Sequence, residues 1–215
     1  QEPCVLIFHT HTTESYVMVD NGWYTKSYTT RSHDPSRNVA RVGSEIADVL
    51  NAAGFSVIHD TTIHDLSYNG SYSRSRETVK AYLEKYPSIQ VVLDVHRDAI
   101  YYSNGTRVKP TATIGDKKCA QIMIISGAED GMVTNFPNWQ HNLRFALALQ
   151  SYAQEMFQGL MKPLYFSQRK YNMDLTKYSL LLEMGSDANT LEEAIYSGRL
   201  IGCAIAEMLE NCLED

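Results

Sequence analysis

Two histidines and a carboxylate stand in the run HTHTTE, residues 9 to 14, directly behind the apolar run CVLIF. Imidazoles and carboxylates are the donors that a catalytic zinc takes, three from the protein with a fourth position left for water. His11 and Glu14 have the HxxE spacing that lets both groups turn to one point across a tight loop. His96, in LDVHRDA, can close the set from a second apolar run. Glu183, in LLLEMGSDAN, can face the open position as general base and then as the acid that protonates a leaving amine. Zinc would bring the pKa of its water down to about 7.

Each of these residues has a plainer reading. A lone histidine at a strand end is more often hydrogen-bonded structure than a ligand; the convergence of several such groups is what argues for chemistry. His9 lies one position inside the strand end, where a supporting role leads, yet it shares a face with His11 if the strand runs that far, and it stays a reserve ligand. Asp34 is first a helix cap and second a reserve ligand. Arg97 follows His96 and could polarise the scissile carbonyl or hold a substrate carboxylate; an ion pair with Asp98 or Glu183 is equally open. Tyr171 and Asn172, in YNMDL, either line the cleft or turn the chain. His33, His59, His64 and His141 have surface or structural settings.

These residues need strands to carry them. CVLIFH, FSVIHD, IQVVLDVH, CAQIMIISG and YSLLLEMG read as strands, because short continuous apolar runs suit a sheet covered on both faces. Between them lie helical patterns: DPSRNVARVGSEIADVLNAAGF, with Asp34 as cap and Pro35 in the first turn, then SYSRSRETVKAYLEKYPS, QHNLRFALALQSYAQEMFQGL, and a closing helix from Asn189, which can cap it. Asn104-Gly105 signals a hairpin, and residues 14 to 32 a long loop over the site. Helices alternating with buried strands predict a three-layer α/β sandwich around a mostly parallel sheet, in one catalytic domain over residues 1–215. In such sheets ligands bind beyond the carboxyl ends of the strands, where all three motifs stand.

Composition narrows the class. Apolar residues make up 44% of the 215 and charged residues 20%, and no run approaches the roughly 18 apolar residues of a membrane span. A net charge of −6 argues against nucleic acid, whose backbone demands a basic face. Cys4, Cys119, Cys203 and Cys212 have no CxxC spacing and read as buried free thiols, with pairing left open. The chain starts QEPCVLIF, so a signal or anchor is expected to have been removed from in front of it.

Taken together, HTHTTESY, SYSRSRETVKAYLEKYP, LDVHRDA, YNMDL and LLEMGSDANTLEEA resemble the catalytic domain of the stage II sporulation protein P family over nearly the whole chain. That family is related to zinc-dependent N-acetylmuramoyl-L-alanine amidases, whose Glu, Gly and Asn motif is similar to Glu183, Gly185 and Asn189. The resemblance implies an amidase or zinc-carboxypeptidase-like core, a Zn2+ cofactor, and hydrolysis of peptidoglycan amide bonds during engulfment in endospore formation, as amidase and cross-link endopeptidase. It implies as partners a lytic transglycosylase, stage II sporulation protein D, and a recruiting membrane protein, stage II sporulation protein M. It also implies an anchored full-length protein between the mother-cell and forespore membranes. The related amidases take their second ligand near the start of the first long helix, around Asp34, where no glutamate stands here; Glu14 is favoured, Asp34 in reserve. Two other readings compete: a zinc carboxypeptidase trimming stem peptides, with Arg97 as carboxylate clamp, and a non-catalytic peptidoglycan-binding scaffold.

Overall fold

The computed structural model describes residues 2–25 and 27–213. In chain order the elements are β1 (Val5–Phe8), α1 (Val39–Ala52), β2 (Val57–His59), α2 (Ser71–Lys85), β3 (Val91–Asp98), β4 (Thr111–Ile114), β5 (Lys117–Ala120), β6 (Ile122–Gly127), α3 (Trp139–Met156), β7 (Tyr165–Ser167), β8 (Tyr178–Ser186) and α4 (Leu191–Leu213). Six strands form one sheet in the order β2-β1-β3-β8-β6-β7, and β4 and β5 make a separate antiparallel pair. The neighbours β2, β1, β3 and β8 are mutually parallel; β6 runs antiparallel to β8 and carries β7 parallel to itself.

Side-chain alternation divides the core between the two faces of the sheet. Val5, Ile7, Leu93, Val95, Leu180 and Leu182 pack with residues of α1, α3 and α4, whereas Leu6, Phe8 and Val92 pack with Val79 and Tyr82 of α2. The result is three layers: three helices, the sheet, and α2 alone on the far side. Burying each such Val, Leu or Phe contributes about 1.5–3 kcal/mol before chain entropy is subtracted. Parity then assigns the functional strand residues. Asp94 and His96 follow Val92 at alternate positions and point to the α2 face, and Glu183 pairs with His96 in register on the neighbouring strand.

Local chemistry differs from the expectation at several ends. α1 starts at Val39, not near Pro35, because Asn38 caps it: its side chain accepts the Ala40 N–H at 2.9 Å. α4 is capped by Thr190 rather than Asn189. The Thr190 hydroxyl accepts the Glu193 N–H at 3.1 Å while Glu193 Oε2 accepts the Thr190 N–H at 3.0 Å, a reciprocal box. CAQIMIISG is split into β5 and β6 at Gln121, and β7, a short strand whose Tyr165 and Phe166 are half exposed, has no strong signal in the sequence. Cys4, Cys119 and Cys203 are free thiols; the Cys212 side chain lies outside what the structure describes.

Candidate metal and catalytic site

Strand order reverses between β1 and β3, since β2 lies outside β1 on one side and β3 on the other. The crevice at such a switch point is where an open α/β sheet receives ligands, and here the three motifs emerge beside it. β1 ends at Phe8, and residues 10 to 13 form a tight turn. Asp65 pins that turn, accepting the Thr13 N–H at 3.0 Å and the Thr13 hydroxyl at 2.6 Å. The turn carries His11 round to the α2 side of the sheet, where its ring stands edge-on to His96 with centroids 5.2 Å apart. Tyr68 stacks on the outer side of His11 at 4.7 Å, and Tyr72, on α2, meets it edge-on at 5.5 Å.

Glu14 completes the group. Its Oε2 lies 3.4 Å from His96 Nδ1 and accepts the Arg97 N–H at 3.2 Å. Burial alone would raise the Glu14 pKa, but the hydrogen bond and charge of His96, with Arg97 and His11, outweigh it and hold the carboxyl at about 2. Burial likewise disfavours charge on His96, yet Asp94 and Glu14 overcome that penalty and hold it well above the ordinary histidine value. Glu183 goes the other way. Burial first, then the charges of Glu14 and Asp98, push its carboxyl up to about 8 against the pull of His96. Two adjacent carboxylates whose proton affinities are driven apart are the arrangement that separates a ligand from an acid-base group.

The donor set fits a borderline cation: two imidazoles and a carboxylate on one face. His11 Nδ1 and Glu183 Oε2 are buried without hydrogen-bond partners, and buried polar atoms are rarely left so. Among the described residues, however, no three His, Cys, Asp or Glu groups are already arranged around a metal position. His96 instead faces the carboxylates of Glu14 and Asp94.

The other sequence-marked residues fall elsewhere. His9 is fully buried on the α1 side, with Nδ1 2.8 Å from the Val95 carbonyl and Nε2 2.8 Å from His59 Nε2. Asp34 is fully exposed and accepts the Ser36 N–H and hydroxyl. Arg97 gives its guanidinium to the carbonyls of Ser15, Asp98 and Thr30, tying the 14–32 loop to β3. Asn189 accepts the Ser186 N–H and donates to the Pro110 carbonyl and to Glu193. Gly185, at φ +75°, sits so close that a Cβ there would come within 2.6 Å of Asn189 Oδ1. Asn172 donates to the Tyr72 carbonyl and to Ser75, and both it and Tyr171 have positive φ, which places the Tyr171 ring 5.3 Å from Tyr72.

Reasoning from sequence passed over Asp94, Tyr68, Tyr72, Arg31 and Asp65. Asp94 carried a signal, the acid two positions before His96 on a strand and so on the same face. Arg31 bonds Asp65 at 2.7 Å and comes within 3.9 Å of Glu14, a contact that no local pattern announces.

A family model described as stage II sporulation protein P matches residues 1–206. The Stage II sporulation protein P of Bacillus subtilis (strain 168) is 29% identical over 216 residues, an alignment covering 95% of this chain and 50% of that protein. The chain therefore spans about half the length of the curated relative it matches. Solved structures share the fold. The CwlD amidase of Clostridioides difficile, in complex with the GerS lipoprotein, superposes with TM-score 0.58 at 12% identity over 98% of both chains. The N-acetylmuramoyl-L-alanine amidase AmiC2 of Nostoc punctiforme gives 0.57 at 12% identity over 100% of this chain and 99% of its own.

Proposed function

From the premise that the chain belongs to the stage II sporulation protein P family, we propose that it is a zinc-dependent hydrolase of peptidoglycan amide bonds, both N-acetylmuramoyl-L-alanine amidase and cross-link endopeptidase. One observation carries the reading. Glu183, half-buried, with a buried Oε2 that has no partner and a proton affinity raised to about 8, stands in register beside His96 on the face that receives His11 and Glu14.

His11, Glu14 and His96 are the residues that would hold the metal. When bound, zinc supplies an acidified water and a positive charge for the carbonyl oxygen. Glu183 takes the water's proton and returns it to the amide nitrogen as the C–N bond breaks; a carboxyl poised well above the usual range suits both directions of transfer. Arg97 acts on the site through its backbone N–H, which fixes Glu14, and through the carbonyls it ties together. With those donors engaged it is not free to clamp a substrate carboxylate, which weakens the carboxypeptidase reading. Tyr68, Tyr72 and Tyr171 form an aromatic wall on the open side, apt for packing against a sugar ring or peptide.

The rest follows the family. The cell-wall polymer is the substrate, stage II sporulation proteins D and M are the partners, and the full-length protein is anchored so that this part works outside the cytoplasm. No helix among the described residues is long and apolar enough to cross a membrane. The experiment is digestion of purified sacculi with mass analysis of the products. We expect free stem peptides and opened cross-links that disappear on chelation and return with zinc, and a loss of about 100-fold or more for Glu183→Gln. Full activity in that variant would end the general-base assignment, and release of terminal amino acids alone would mean a carboxypeptidase.

A further inference from the structure

His96 has two ring nitrogens and two carboxylates beside them. Nδ1 lies 3.4 Å from Glu14 Oε2, and Nε2 lies 2.8 Å from Asp94 Oδ1. The second contact is close but off the N–H axis, so that by strict hydrogen-bond geometry Nε2 has no partner. Turning the ring over instead would set Cδ2 against Glu14 and Cε1 against Asp94, leaving two buried carboxylates facing carbon, so the chemistry selects the observed orientation.

Asp94 is itself held. It is 2% exposed; its Oδ1 accepts the Thr10 N–H at 2.8 Å and its Oδ2 accepts the Thr10 hydroxyl at 2.7 Å. The Thr10 hydroxyl lies 2.8 Å from the hydroxyl of Ser75 on α2, which also receives a hydrogen bond from Asn172. The chain of contacts runs from YNMDL through α2 and the HTHTTE turn to the back of His96. A carboxylate so fixed behind one imidazole nitrogen sets the tautomer and aims the other nitrogen.

We propose that Asp94 is a positioning residue for metal binding: it holds His96 Nε2 from behind so that Nδ1 is the nitrogen presented beside Glu14 and His11. The inference rests on the zinc reading above, and its test separates the two. Zinc affinity is measured by competition with a chelating dye for the wild-type chain, Asp94→Asn and Thr10→Val, with unfolding curves confirming that each is folded. Independently, 15N-histidine spectra of the wild type loaded with 113Cd report which nitrogen carries the metal. The expected results are coupling at His96 Nδ1, an affinity loss of about 10–100-fold for Asp94→Asn, and a smaller loss for Thr10→Val, which removes only the hydroxyl support. A merely structural Asp94 would lower stability without moving affinity. A folded Asp94→Asn with wild-type affinity, or 113Cd on Nε2, overturns the proposal while leaving the zinc reading standing. A wild-type chain with no metal affinity overturns the zinc reading, which neither variant can do.

Discussion

Among the described residues, two histidine clusters lie on opposite faces of one sheet, and they contrast in how their nitrogens are used. On the α1 face His9 and His59 close on each other at 2.8 Å, and His9 spends its other nitrogen on the Val95 carbonyl. Burial pushes His9 down to about 3 and His59 to about 4, so the pair is neutral and its facing nitrogens are paired. On the α2 face His11 keeps a buried Nδ1 with no partner, and Glu183 an Oε2 likewise. The two clusters thus divide by satisfaction: the paired one supports the strand ends, and the other keeps buried polar atoms without partners.

The largest expected difference between the clusters comes from truncating one histidine in each. His11→Ala should fold normally and lose more than about 100-fold in zinc affinity, and sacculus hydrolysis with it. His9→Ala should leave zinc affinity unchanged but lose about 1–3 kcal/mol of stability, by removing the partner of His59 Nε2 and the His9 contact to the Val95 carbonyl. Equal zinc affinity in the two variants, measured by chelator competition, would erase the contrast.

The next effect is a pH profile of the metal-free chain. Glu183 is raised to about 8 from an ordinary 4.5, so the folded state holds its proton more tightly than the unfolded chain. The stability this contributes is full below 4.5 and is lost as pH rises through 8. His9 and His59, depressed from 6.5 to about 3 and about 4, work in the opposite sense. Their contribution is present above 6.5 and lost as pH falls toward 3. Each pKa unit is about 1.4 kcal/mol, so the alkaline limb is on the order of a few kcal/mol. Urea midpoints with chelator present should show both limbs in the wild type and a reduced alkaline limb in Glu183→Gln, the remainder belonging to His96, which is also raised.

The smallest effect sharpens the paired side. A Cβ on Gly43 of α1 would come within 2.7 Å of His59 Nε2 and 2.8 Å of His9 Nε2. Gly43→Ala should therefore destabilise despite the roughly 1 kcal/mol that Ala gains in a helix, by about 1–2 kcal/mol net, without changing zinc affinity. A stabilised variant in thermal unfolding would show that the histidine pair is looser than its distances suggest.

How far the site was legible follows from the same contrast. HTHTTE, LDVHRDA and LLLEMG stand out because each places polar metal-type residues where an apolar strand run stops, a pattern local enough to read. The face on which each residue lands was not readable. His9 and His11 would share a face had β1 continued; it ends at Phe8, and the turn pinned by Asp65, 52 residues downstream of Thr13, sends them to opposite sides. Asp34 and Asn189 were plausible caps, but Asn38 and Thr190 took those positions, since a helix start depends on which oxygen reaches the free N–H groups. Arg97 looked available because its acceptors, the carbonyls of Ser15 and Thr30, lie far away in sequence.

Residue order alone therefore determined the alternation of strands and helices, the α/β class and the three motifs that stand directly behind apolar runs, because hydrophobic periodicity and its interruptions are properties of neighbouring residues. Only the folded chain decided which nitrogens and oxygens are satisfied. That depends on contacts such as Asp94 with Thr10 and Glu14 with His96, which span some eighty residues and exist only once β1, β3 and β8 lie side by side.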